Sequence, residues 1–149
     1  MSHKAIHEAA LEAFRLRYAG SPVREPDIGS PARVARLDRS GAYLLVPVRD
    51  AMGLRAIVQL DADTLALEGF ATVGDPTSGF LIGADEALEI AQRSRPQTSG
   101  WLEPFLGWRP CRESFDSMRP FWVIKHANGT LFVTQSAELF ENLTIGKGG

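Results

Sequence analysis

Cysteine is almost absent: the 149 residues contain one, at position 111, together with three histidines and two tyrosines. A single cysteine cannot close an internal disulfide, which fits a reducing compartment. Cys-x-x-Cys pairs, Ser-x-x-Lys and glycine-rich phosphate loops are also missing, so no motif points to dithiol, serine-nucleophile or nucleotide chemistry. The terminal Gly-Lys-Gly-Gly at 146–149 lacks the strand-to-helix setting of a phosphate loop. No apolar run approaches the roughly 18–20 residues that span a bilayer. Basic excess is missing as well. Sixteen Lys and Arg against eighteen Asp and Glu leave a net charge of −2, and the cations are scattered, which argues against a nucleic-acid partner. The first residues, MSHKAIHEAALEAF, have no apolar leader core, so the expected location is cytoplasmic. No cofactor, metal or membrane association is expected.

What remains is an ordinary globular composition, 44% hydrophobic and 23% charged. From His3 to Tyr18, apolar residues recur at Ile6, Ala9, Ala10, Ala13 and Phe14, the spacing of a helix with one buried face. AGSP at Ala19–Pro22 stops it. The period then becomes that of strands, in ARVARLD, AYLLVPVRD, LRAIVQLD and LALEGFATV, with turns at Ser40-Gly41, Met52-Gly53 and Asp61–Asp63. An antiparallel meander is predicted. A second helix is predicted through Glu89 to Arg93 with Asp85 as its cap, and the chain after Leu143 is expected to fray.

The two halves echo each other. EAALEAFR at Glu8–Arg15 resembles EALEIAQR at Glu86–Arg93, and LVPVRDAMGLRAIVQLD can be laid on WVIKHANGTLFVTQSA by matching Gly53 with Gly129. Arg49 then falls on Lys125, Val48 on Ile124, Ile57 on Val133 and Gln59 on Gln135. The predicted class is α+β: two repeats, 1–75 and 76–149, each a helix plus an antiparallel meander. Helices should lie on one side of the sheet, and the repeats should form one compact unit.

Asn128-Gly129 is predicted to close a hairpin by a two-residue turn, which pairs Ile124 with Val133, Lys125 with Phe132 and Val123 with Thr134. Alternation puts Trp122, Ile124, Leu131 and Val133 on one face, and Phe121, Val123 and Phe132 on the other. The second face is too apolar for open water and needs a cover. The stretch before it, WLEPFLGWRPCRESFDSMRPFW, holds all three tryptophans. Its prolines and glycine predict a structured loop, with Trp101, Phe105, Leu106 and Trp108 able to fold back over the sheet. The alternative is an exposed aromatic and arginine surface, since such residues dominate interface hot spots. Trp101, Phe105, Trp108, Arg109, Arg112, Phe121 and Phe132 are therefore the candidate binding residues. A protein or peptide partner fits them best, with a homodimer through Phe121 and Phe132 as a further option.

Two chemical readings compete. Cys111, flanked by Arg109 and Arg112, could be a nucleophile with His126 as base, in a small enzyme or ligand-binding protein that also uses the aromatic loop. His3 and His7, four apart, share a helix side, but two ligands do not make a metal site.

The segments DEALEIAQRS and PFWVIKHANGTLFVTQSAELFENL, echoed by HEAALEAFRLRYAG and GAYLLVPVRDAMGLRAIVQLDADTLALEGFA, resemble the PepSY-type module, a cystatin-like helix-plus-sheet domain. The C-terminal half is also similar to small bacterial immunity proteins with a tryptophan-bearing strand. Both resemblances imply a non-catalytic role. The first implies restraint of a protease or other partner, the second neutralisation of a toxin.

Overall fold

The computed structural model describes residues 2–144; residues 145–149, most of the tail expected to fray, lie outside them. Two helices and nine strands follow one another as α1 (His3–Arg17), β1 (Asp27–Ile28), β2 (Ala32–Arg36), β3 (Ala42–Asp50), β4 (Gly53–Asp61), β5 (Leu67–Thr72), α2 (Ala84–Ser94), β6 (Phe105–Trp108), β7 (Phe121–His126), β8 (Gly129–Val133) and β9 (Leu139–Phe140). The fold is α+β. It divides into two compact units: Met1–Arg33 with Gly41–Phe80, and Val34–Ser40 with Leu81–Gly149. The short segment after Arg33 thus belongs with the second half of the chain.

In the first unit, Ser2 starts α1 by accepting a hydrogen bond from the Ala5 N–H at 3.2 Å. Tyr18, extended, ends it and stacks on Phe14 with ring centroids 4.7 Å apart. Ala10, Ala13 and Phe14 are buried against Leu44, Val46 and Val48 of β3 and Ala56, Val58 and Leu60 of β4. Burial of Phe14 and of each Leu and Val contributes roughly 1.5–3 kcal/mol and of each alanine methyl about 0.8 kcal/mol, which together hold a helix that would be marginal alone. Strands β3, β4 and β5 form the expected antiparallel meander, with β1 added beside β3. Seven consecutive residues of β3, Ala42–Val48, are buried, so this strand is covered on both faces.

One register differs from the sequence alignment. Arg49 pairs with Leu54 but Val48 pairs with Ala56, so a bulge leaves Arg55 unopposed. Arg55 turns its Nε onto Asp50 Oδ2 at 2.7 Å. Because of this extra residue, Val58 rather than Ile57 occupies the buried place that Val133 holds in the second hairpin.

In the second unit, Gly83 is the N-cap of α2 and no side chain caps it. Asp85 falls inside the first turn, where its charge favours the helix dipole without capping. Ala87 and Ala91 press the helix onto Ile124, Leu131 and Val133. The segment leading into α2 is pinned: the Trp122 indole N–H donates to the Ile82 carbonyl at 2.9 Å. Gln135 accepts from the Ile82 N–H at 2.8 Å and donates to the Pro120 carbonyl at 2.9 Å.

Three expectations change here. Strand β2 runs parallel to β6, with Ala35 opposite Gly107 and Arg36 opposite Trp108, so the strand pairing is mixed rather than wholly antiparallel. The turn between β7 and β8 is Ala127-Asn128, with Gly129 at φ 148° as the first residue of the return strand. Ile124 therefore pairs with Leu131, Lys125 with Thr130 and Val123 with Phe132, two residues away from the predicted register. Because the side-chain period is two, the predicted faces survive. Third, Phe105–Trp108 is a strand and not a loop. Pro104 and Pro110 flank it instead of interrupting it, and Gly107 admits the Leu37 side chain, which would lie 2.8 Å from a Cβ there.

Candidate functional site

Strands β6, β7 and β8 lie side by side and antiparallel in the second unit. Trp122, Ile124, Leu131 and Val133 point to α2. Opposed residues share a face, so Phe105, Val123, Lys125, Thr130 and Phe132 point the other way. On that side the strands form the floor of an open groove of about 380 Å³, bordered by Leu37, Arg109, Asn142 and Leu143. Phe121 does not line the groove; it is fully buried and packs edge-to-face with Phe132 at 6.0 Å.

The groove is apolar with two cations. Lys125 Nζ lies 5.8 Å from the centre of the Phe105 ring, and Phe105 is itself 37% exposed. Arg109 leaves its Nε buried with no hydrogen-bond partner. Among the described residues no carboxylate borders this groove. A buried guanidinium nitrogen without a partner costs stability unless something meets it.

The candidate residues separate into groups. Phe105, Arg109 and Phe132 come together around the groove, with Phe121 buried behind Phe132. Trp101 does not cover this face. It packs with the α2 cluster, donates its indole N–H to the Thr98 carbonyl at 3.1 Å and lies 5.1 Å from the His126 ring. Leu106 likewise shares a face with Trp122. Trp108 fastens the following loop by donating to the Ser114 carbonyl at 3.1 Å. Arg112 is exposed, and its backbone N–H donates to the Thr144 carbonyl at 3.0 Å. Beside it, the Glu113 carboxylate accepts from the Thr144 N–H and hydroxyl at 2.8–3.0 Å. Burial works against that charge, but the Thr144 hydrogen bonds outweigh it and hold the Glu113 carboxyl below its usual range. These bonds tether the chain just after Asn142 and Leu143, at the groove's border. The sequence reading missed Lys125, Thr130, Asn142 and Leu143. Lys125 carried a visible signal, a lone charge in an otherwise apolar strand.

The chemical candidates are engaged elsewhere. Cys111 is buried, and its Sγ donates to the Ser114 carbonyl at 3.5 Å. Burial pushes its thiol up despite the opposing Arg109 charge, which leaves little thiolate near neutral pH. His126 uses Nδ1 to accept the Asn128 N–H at 3.2 Å and sets its ring against Trp101, on the α2 side of β7. His3 and His7 border a small polar pocket with Ile6, Gly29 and Ser30. Among the described residues no cluster of three His, Cys, Asp or Glu could hold a metal ion, and no helix is long and apolar enough to cross a membrane.

No family model, curated protein or solved structure matches this chain.

Proposed function

We propose that the chain is a non-enzymatic module that binds a protein or peptide and thereby restrains or neutralises it, in the manner of PepSY-like or immunity-type domains. The carrying observation is the groove on β6–β8, where Phe105 and Phe132, flanking a buried Val123, offer apolar contact beside Lys125 and Arg109. Apolar centres with flanking arginine suit protein recognition. The two units are read as diverged copies of one helix-plus-hairpin element. Supporting that reading, both hairpins turn on two residues followed by a glycine of positive φ, Gly53 and Gly129, and each has a helix packed on it.

The test is photo-crosslinking from a residue at position 105 in lysate of the source cell. Wild-type protein should give a discrete partner adduct, and Phe132→Asp with Lys125→Glu should lose it while the thermal midpoint moves little. An unchanged adduct pattern in that variant sinks the groove as the binding site. A homodimer through the same face is the competing occupant. Sedimentation distinguishes it, because only a dimer would be converted to monomer by Phe132→Asp.

A further inference from the structure

Leu54 and Thr130 hold the same place in the two hairpins, one residue after the turn glycine. In the first unit the outward N–H of Leu54 donates to the Pro76 carbonyl at 2.9 Å, so the chain itself occupies that strand edge. In the second unit the Lys125 carbonyl accepts from the Leu102 N–H, on the side of β7 away from β8. Thr130 is opposite Lys125, and in an antiparallel pair both residues then turn their backbone groups outward. The Thr130 N–H and carbonyl thus point away from β7. Strand β9 does not meet them, since it pairs only with Phe132 and Val133. Between that outer edge and Glu141 and Asn142 lies a polar groove of about 460 Å³. Thr130 and Asn142 border both grooves, so this edge, unpaired among the described residues, opens directly beside the apolar one.

Resting on the reading of this face as a peptide site, we propose that an extended acidic segment of a partner protein adds as a strand to the outer edge of β8 at Thr130. Its backbone accepts from the Thr130 N–H and donates to the Thr130 carbonyl, the exchange that recruits peptides to sheet edges. Alternate side chains of an added strand fall on one face, so every second one reaches the Phe105–Phe132 groove. Charge selects the segment. Lys125 and Arg109 line the groove with no carboxylate among its described lining residues, while Glu141 in the polar groove is already paired with Arg95. Carboxylates flanking an aromatic or aliphatic side chain complement this arrangement.

The probe is a phage-displayed library of random peptides selected on the full chain. Enriched peptides are then synthesised and measured by calorimetry and by amide chemical shifts of the protein. Enriched sequences should carry Asp or Glu around an apolar residue, and binding should move the Thr130 amide and protect it from exchange. Arg109→Gln with Lys125→Gln should weaken them at least about tenfold. N-methylation of the peptide residue that donates to Thr130 should do the same with the protein unaltered. Selection of basic peptides, or binding that leaves the Thr130 amide unmoved, overturns strand addition and leaves the groove reading standing. A library that yields no binder removes both.

Discussion

The two hairpins share a four-residue frame, Asp50-Ala51-Met52-Gly53 and His126-Ala127-Asn128-Gly129, yet are used differently. In each, the side chain before the turn accepts the N–H two residues on: Asp50 Oδ1 from Met52 at 2.8 Å, and His126 Nδ1 from Asn128 at 3.2 Å. In each, the glycine that follows has positive φ, 130° at Gly53 and 148° at Gly129. The surroundings diverge. A Cβ on Gly53 would lie 2.0 Å from the Pro76 carbonyl oxygen, whereas one on Gly129 would meet nothing within 4 Å. The first hairpin is clamped by its own chain, by a bulge and by the Arg55–Asp50 pair. The second leaves the backbone edge at Thr130 unpaired among the described residues and an open groove on one sheet face. The same turn design is therefore closed in by its own chain in one unit and left open at its edge, among the described residues, in the other.

The largest expected break of this comparison comes from the glycines. Gly53→Ala drives a methyl into Pro76 and strains the backbone, so urea unfolding should show a loss of about 3 kcal/mol or more. Gly129→Ala meets only the strain, about 1 kcal/mol. Equal losses at both positions would erase the distinction. Next comes Trp122→Phe, which leaves the Ile82 carbonyl without its indole donor and should cost about 1–2 kcal/mol in the same measurement.

Acid sharpens the contrast further. Burial of Asp50 opposes its charge, but the Arg55 hydrogen bond and the turn amides dominate and hold its carboxyl below the ordinary 3.8. A depressed folded-state value means the stabilisation is present above 3.8 and is lost as pH falls through the lower folded value. Asp50→Asn should flatten that part of the stability–pH curve, and an unchanged acid limb would show that the carboxylate does not matter to the hairpin. The smallest effect concerns Cys111. Its buried thiol should alkylate more slowly near neutral pH than a free model thiol, and rapid labelling would revive the nucleophile reading.

Much of the fold was legible because it rests on local periodicity. The spacing Ile6, Ala10, Ala13, Phe14 marks α1, and the short unbroken apolar run AYLLVPV marks β3. The faces of β7 and β8 were read correctly although the register was not, because a two-residue error returns each side chain to its own face. What escaped depends on distant partners. Nothing near Arg55 announces a bulge, since the bulge exists only relative to β3. Phe105–Trp108 reads as loop from its prolines, and becomes a strand because β2 and β7 supply partners on either side. The candidate site was legible in its aromatics Phe105, Phe121 and Phe132. Arg109 was among the candidates as well, but Lys125 and the edge at Thr130 were not: sheet geometry brings Lys125 to the groove, and where β9 stops leaves the edge at Thr130 unpaired among the described residues.

Native-state hydrogen exchange on the free protein tests the central contrast most directly, by reading Leu54 and Thr130 in one experiment. The Leu54 amide, bonded to Pro76 and buried, should exchange only through opening of the first unit, while the Thr130 amide should exchange orders of magnitude faster than its neighbour Leu131. A Thr130 amide as protected as Leu54 would mean that its edge is already occupied, and would contradict the account.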